Sequence, residues 1–121
     1  SEANESDEDT RTVVQPDIVV VCDKGKLDDR GCKGAPDLVI EILSPHTLRK
    51  DMREKLMLYE RHRVKEYWIV HPVDKILMAY RLRGDNQYSR PDVYSVEDKI
   101  ESATIEGLSV ELQGVFKEEH V

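Results

Sequence analysis

The sequence predicts a mixed α/β (α+β) domain: one mixed β-sheet, one main crossover helix and a β-rich C-terminal part. Three observations carry this reading. Two runs rich in valine and isoleucine, VVQPDIVVV and DLVIEILS, flank a glycine-rich loop. One stretch then places Leu48, Met52, Leu56 and Tyr59 at helical spacing. After it the chain returns to short β-like runs, punctuated by Pro72, Gly84 and Pro91.

Each element follows from local chemistry. The first strand is expected within residues 13–21. DKGKLDDRGCKGAP, with three glycines and a proline, reads as a loop. DLVIEILS is nearly continuous in apolar residues, which suggests a strand covered on both faces. Ser44-Pro45 reads as a helix start, with a hydroxyl cap and proline at the first helical position, and Thr47 competes as the cap. The helix should end near Arg61 to Arg63. EYWIVHP and KILMAYRLR are the third and fourth strands, and Gly84-Asp85-Asn86 turns the chain into QYSRPDVYS. The tail IEGLSVELQGVFKE reads as a short strand and a helical turn. A strand, helix, strand passage implies a right-handed crossover.

The chain has 121 residues, which suits one domain or part of one. Its formal net charge is −7 and charged residues make up 36%, and no apolar run approaches the ~20 residues of a spanning helix. With no signal-like start, this argues for a soluble cytoplasmic protein without membrane contact. Cys22 and Cys32 are too few for a disulfide scaffold or a four-cysteine zinc site, so reduced thiols are expected. Five acids and no base fall in residues 1–9, and segment 1–12 reads as acidic and flexible. Residues 13–121 form the expected folded domain. Its segment 46–66 carries seven bases and four acids, so the helical stretch is locally basic within an acidic chain.

Three residues could carry chemistry. Glu41 lies inside the most apolar strand, and alternation groups it with Asp37, Val39 and Leu43 on one face. A carboxylate there either has a partner or occupies an exposed edge. Asp17 begins the preceding strand. If the two strands pair antiparallel, Asp17 comes near Glu41, whereas Asp37 lies ~13 Å away along the strand. Asp37 then serves the loop or the strand start. On a helical wheel with Leu48 at zero, Lys55 falls at about −20°, within the apolar stripe and beside Tyr59 at about 20°. It can meet a carboxylate or phosphate, reach past Tyr59 to water, or pair with Asp51 one turn earlier. Tyr59 either orients Lys55 or simply packs. Two carboxylates and a lysine at a helix start suit metal-assisted hydrolysis.

His46, His62, His71 and His120 lack metal-ligand spacing and read as surface or capping residues. Trp68 and Tyr67 read as core and sheet surface rather than platforms for stacking bases. No phosphate loop, dinucleotide fingerprint or nucleophile elbow occurs.

The segments VVQPDIVVVCD, KLDDRGCKGAPDLVIEILSP and DMREKLMLYERHRVKEYWIVHP together resemble the Uma-type family of bacterial restriction-endonuclease-like proteins, within the PD-(D/E)XK nuclease superfamily. The resemblance runs from residue 13 to about 115. It implies a restriction-endonuclease-like fold and Mg²⁺- or Mn²⁺-dependent cleavage of DNA. On that pattern Asp17 is the aspartate after proline and Glu41 the second acid, both as metal ligands. Leu43 stands where the lysine is expected, and Lys55 matches the variant in which the lysine moves to the helix. His71 replaces the family's usual aspartate. The superfamily core opens with a helix and strand that this chain is expected to lack. The competing reading is an inactive module of nuclease fold serving binding or assembly, and a more remote one is an acidic tail that regulates a basic partner. A homodimer is expected, because an unpaired sheet edge invites symmetric pairing.

Overall fold

The computed structural model describes residues 18–22, 27–28, 31–32, 34–47 and 49–116, and the following concerns these. The acidic segment 1–12, Asp17, Leu48 and His120 lie outside the described residues.

Five strands form the main sheet in the order β1-β4-β5-β6-β7. They are β1 (Ile18–Val21), β4 (Leu38–Ile42), β5 (Glu66–His71), β6 (Ile76–Arg81) and β7 (Asp92–Tyr94). The β4 and β5 strands run parallel and are joined through α1 (Arg49–Arg61), while the other neighbours are antiparallel. The sheet is therefore mixed, with one crossover helix. Its third strand, EYWIVH, is buried at every position except His71, as expected of an interior strand covered on both faces.

The covers differ on the two faces. On one, Leu38, Trp68, Val70, Leu77 and Ala79 pack with Ile100, Leu112 and Phe116. These last three come from the C-terminal layer of β8 (Lys99–Glu101), β9 (Ser109–Glu111) and α2 (Leu112–Val115). On the other, Val39, Val64, Tyr67 and Ile69 pack against Leu56 and Tyr59 of α1 and against Tyr80 and Tyr88. The alternation read from DLVIEILS is realised, since Leu38 and Ile40 join the first cluster and Val39 and Leu43 the second.

Three local readings change. The glycine-rich loop contains a short hairpin of β2 (Leu27–Asp28) and β3 (Gly31–Cys32). Cys22, directly after β1, is disulfide-bonded, not a reduced thiol, and no cysteine among the described residues is free. Pro45 lies in a turn ahead of the helix rather than in its first turn. There the Thr47 hydroxyl accepts the Ser44 N–H at 3.1 Å, and the Ser44 hydroxyl accepts the His46 N–H at 3.2 Å. At its far end α1 closes with Arg63 at φ 62°, and the Val64 N–H donates to the Tyr59 carbonyl at 3.0 Å. That closure turns the chain into β5.

A fully buried carboxylate, Glu66, pins the C-terminal layer to the sheet. Its Oε2 accepts from Arg81 Nε at 3.1 Å and from Trp68 Nε1 at 3.2 Å. Its Oε1 accepts from the Ser102 hydroxyl and from the Thr104 N–H at 3.1 Å. Burial opposes ionisation, but the bonds from Ser102, the nearby backbone, Arg81 and Trp68 outweigh it and hold the carboxyl below its ordinary 4.5. The unfolded chain therefore takes up this proton first as the pH falls, so the stability is present at neutral pH and is lost below the ordinary value. The thermal midpoint, followed by circular dichroism, should fall between roughly pH 5 and pH 3, with a shallower slope in Glu66→Gln.

Candidate active site

Glu41 sits at the fourth position of β4, between β1 and β5, with Ile18 and Ile69 as its register partners. Both flanking strands shield it, and the residue is 3% exposed. That removes the exposed-edge reading. An ionised carboxylate at such a depth requires partners, and it has two. The Tyr67 hydroxyl donates to Oε1 at 2.7 Å. Lys55 Nζ donates to Oε2 and forms an ion pair with it.

The elements explain why these groups meet. Because β4 and β5 run parallel, with Val39 beside Tyr67 and Glu41 beside Ile69, the tyrosine lies one step back on the same face. Lys55 comes from α1, which covers that face. The helix turns Met52, Lys55, Leu56 and Tyr59 towards the sheet and leaves Asp51 and Glu54 exposed. The wheel thus placed Lys55 on the inner stripe, and its side chain remains 37% exposed. It bridges the buried carboxylate and the open side of the site.

That open side is a groove of about 1130 Å³. It begins at Glu41 and the Ser44–Thr47 turn, follows α1 past Asp51, Lys55 and Arg61, and reaches the turn at Asp85–Gln87. Its charge is mixed, with Lys55, Arg61 and Arg63 set among several acids.

The structure separates the remaining candidates. Asp51 is exposed on the groove wall. Asp37 lies buried at the opposite end of β4, where its N–H donates to the Val21 carbonyl at 3.1 Å and its carbonyl accepts from the Glu66 N–H at 3.0 Å. Its carboxylate stands 3.8 Å from Lys65, which fits a strand-start role. Tyr59 packs on Tyr67 with ring centroids 4.7 Å apart, and burial, then Glu41, push its hydroxyl pKa up. His46 lines the groove, while His71 does not. Asp17 lies outside the described residues, one residue before Ile18.

Tyr67 is the participant that sequence reasoning missed. Its signal was the parallel pairing of DLVIE with EYWIV, which puts the phenol beside Glu41. Burial, followed by the hydrogen bond to Glu41 and its charge, raises the Tyr67 pKa strongly, so the phenol stays a donor.

Among the described residues no group of three or more His, Cys, Asp or Glu side chains could hold a metal ion. Among the described residues Glu41 alone offers a buried carboxylate oxygen at the groove. This hard donor suits Mg²⁺ or Mn²⁺, which bind through one or two carboxylates together with water and phosphate oxygens.

Removing the cation should expose the cost of the buried charge. Lys55→Met should lower stability by about 1–3 kcal/mol in urea unfolding, because Glu41 loses a charged partner. The double variant Glu41→Leu/Lys55→Met should recover part of that loss, showing coupling between the two sites.

The comparisons agree with this architecture. The family model of Uma2, described as "Putative restriction endonuclease", matches residues 6–113. A crystal structure of a "putative nuclease belonging to DUF820" from Anabaena variabilis matches with a TM-score of 0.59 and 18% identity. The alignment covers 76% of this chain and 54% of that one, so the chain spans about half the length of that relative. No curated protein matches. The model match over most of the sequence, with the mixed sheet and crossover helix found here, establishes that the chain belongs to the Uma2 family.

Proposed function

We propose that this domain hydrolyses phosphodiester bonds in DNA as a Mg²⁺- or Mn²⁺-dependent endonuclease. The observation that carries the reading is the buried Glu41 carboxylate bonded to Lys55 at the head of an open groove. A divalent cation bound there would lower the pKa of a water molecule and neutralise charge on the scissile phosphate.

The protein's own groups have distinct tasks. Glu41 supplies a fixed negative oxygen, Oε2, towards the groove. Lys55 carries positive charge to the same point and can turn from the carboxylate to an attacking water or a phosphate oxygen. Asp17 is the proposed second carboxylate. Asp51, exposed on the groove wall, would contact a hydrated cation, and Arg61 and Arg63 offer charge to the DNA backbone.

Plasmid incubated with the protein and Mn²⁺ or Mg²⁺ should be nicked, and Glu41→Ala and Lys55→Ala should each lower the rate at least about 100-fold. Cleavage by Glu41→Ala at the parent rate would overturn the assignment. DNA binding without cleavage in both proteins would favour the inactive binding module.

We also propose self-association through β1. Among the described residues this strand ends the sheet, and it exposes Val19 (45%) and Val20 (53%). Symmetric pairing of two such edges is a common way to cover them. Sedimentation velocity should show a dimer that Val20→Lys disrupts. No helix among the described residues is long and apolar enough to cross a membrane.

A further inference from the structure

We propose that Tyr67 is a positioning residue that leaves Glu41 one available carboxylate oxygen, and so biases the site towards small cations and against Ca²⁺. The inference rests on the metal-dependent reading above.

The geometry is specific. Tyr67 is 1% exposed and its hydroxyl donates to Oε1 at 2.7 Å. Its ring is confined by Tyr59, with centroids 4.7 Å apart, and by Tyr80, at 6.3 Å. It cannot swing away without opening the cluster beneath α1, because close-packed interiors resist such movement. The hydrogen bond therefore persists while Lys55, one-third exposed on a flexible stem, can leave Oε2. Oε1 gives one lone pair to the phenol, which leaves it the poorer donor of the two oxygens.

Cations differ in what they need from a carboxylate. Mg²⁺ and Mn²⁺ take compact octahedral sets, typically with one oxygen per carboxylate and several waters. Ca²⁺ accepts six to eight oxygens and often binds a carboxylate through both. A glutamate with one oxygen held by a rigid phenol suits the first pattern. Groups that orient a ligand in this way typically change metal affinity by about 10–100-fold when removed.

The test measures binding directly, with no turnover. Metal-free parent, Tyr67→Phe and Tyr80→Phe are titrated with MnCl₂ and with CaCl₂ by isothermal calorimetry, after circular dichroism has checked their fold. The parent should bind Mn²⁺ more tightly than Ca²⁺. Tyr67→Phe should lower that preference by about tenfold or more. Tyr80→Phe, which removes a hydroxyl from the same row of rings, should leave it unchanged.

An unchanged preference in Tyr67→Phe, or an equal shift in Tyr80→Phe, overturns the role of Tyr67 while the metal-dependent reading stands. A folded parent that binds no Mn²⁺ overturns both. Should Tyr67→Phe fail to fold, the parent decides, and Ca²⁺ binding as tight as Mn²⁺ overturns the inference.

Discussion

A carboxylate buried in the middle of an apolar strand sets the terms for this fold. Desolvating an ionised glutamate costs several kcal/mol unless hydrogen bonds and opposite charge offset it. Glu41 receives one of each, a phenol from the neighbouring strand and an ammonium from the crossover helix. Both donors depend on β4 and β5 lying parallel with α1 across their face. The site is therefore a product of the crossover as a whole. Slipping the pairing by one residue would turn Tyr67 to the opposite side.

Leu43 shows how packing constrains the strand that carries Glu41. It stands two residues beyond Glu41 on the same face. Here it packs against the cluster of Val39, Val64, Tyr67 and Ile69, and a charge at that point would weaken it. The helix brings the cation to Glu41 from above instead, on a stem long enough to meet both the buried oxygen and the groove.

A second buried glutamate, Glu66, shows the same physics in a different service. Its partners Arg81, Trp68, Ser102 and Thr104 come from the sheet and from the C-terminal layer. Every oxygen is engaged, and none of its partners lines the groove. Glu41 differs in having one oxygen bonded to a partly exposed lysine at the groove. That contrast separates a carboxylate enclosed by the architecture from one that borders the groove.

Much of this was legible in the sequence because it depends on short-range periodicity. Alternation in DLVIEILS sorted Val39, Glu41 and Leu43 onto one face, and the helical spacing from Leu48 to Tyr59 placed Lys55 on the inner stripe. Composition marked the loops, the crossover and the acidic beginning of the chain. Tertiary structure alone decided which groups touch. The Tyr67 hydrogen bond, the Glu66 network and the choice of Glu41 over Asp51 as a partner of Lys55 join residues far apart in the chain or on different elements. Such contacts are set by strand register and by the seating of the helix, and no local pattern of residue types records either.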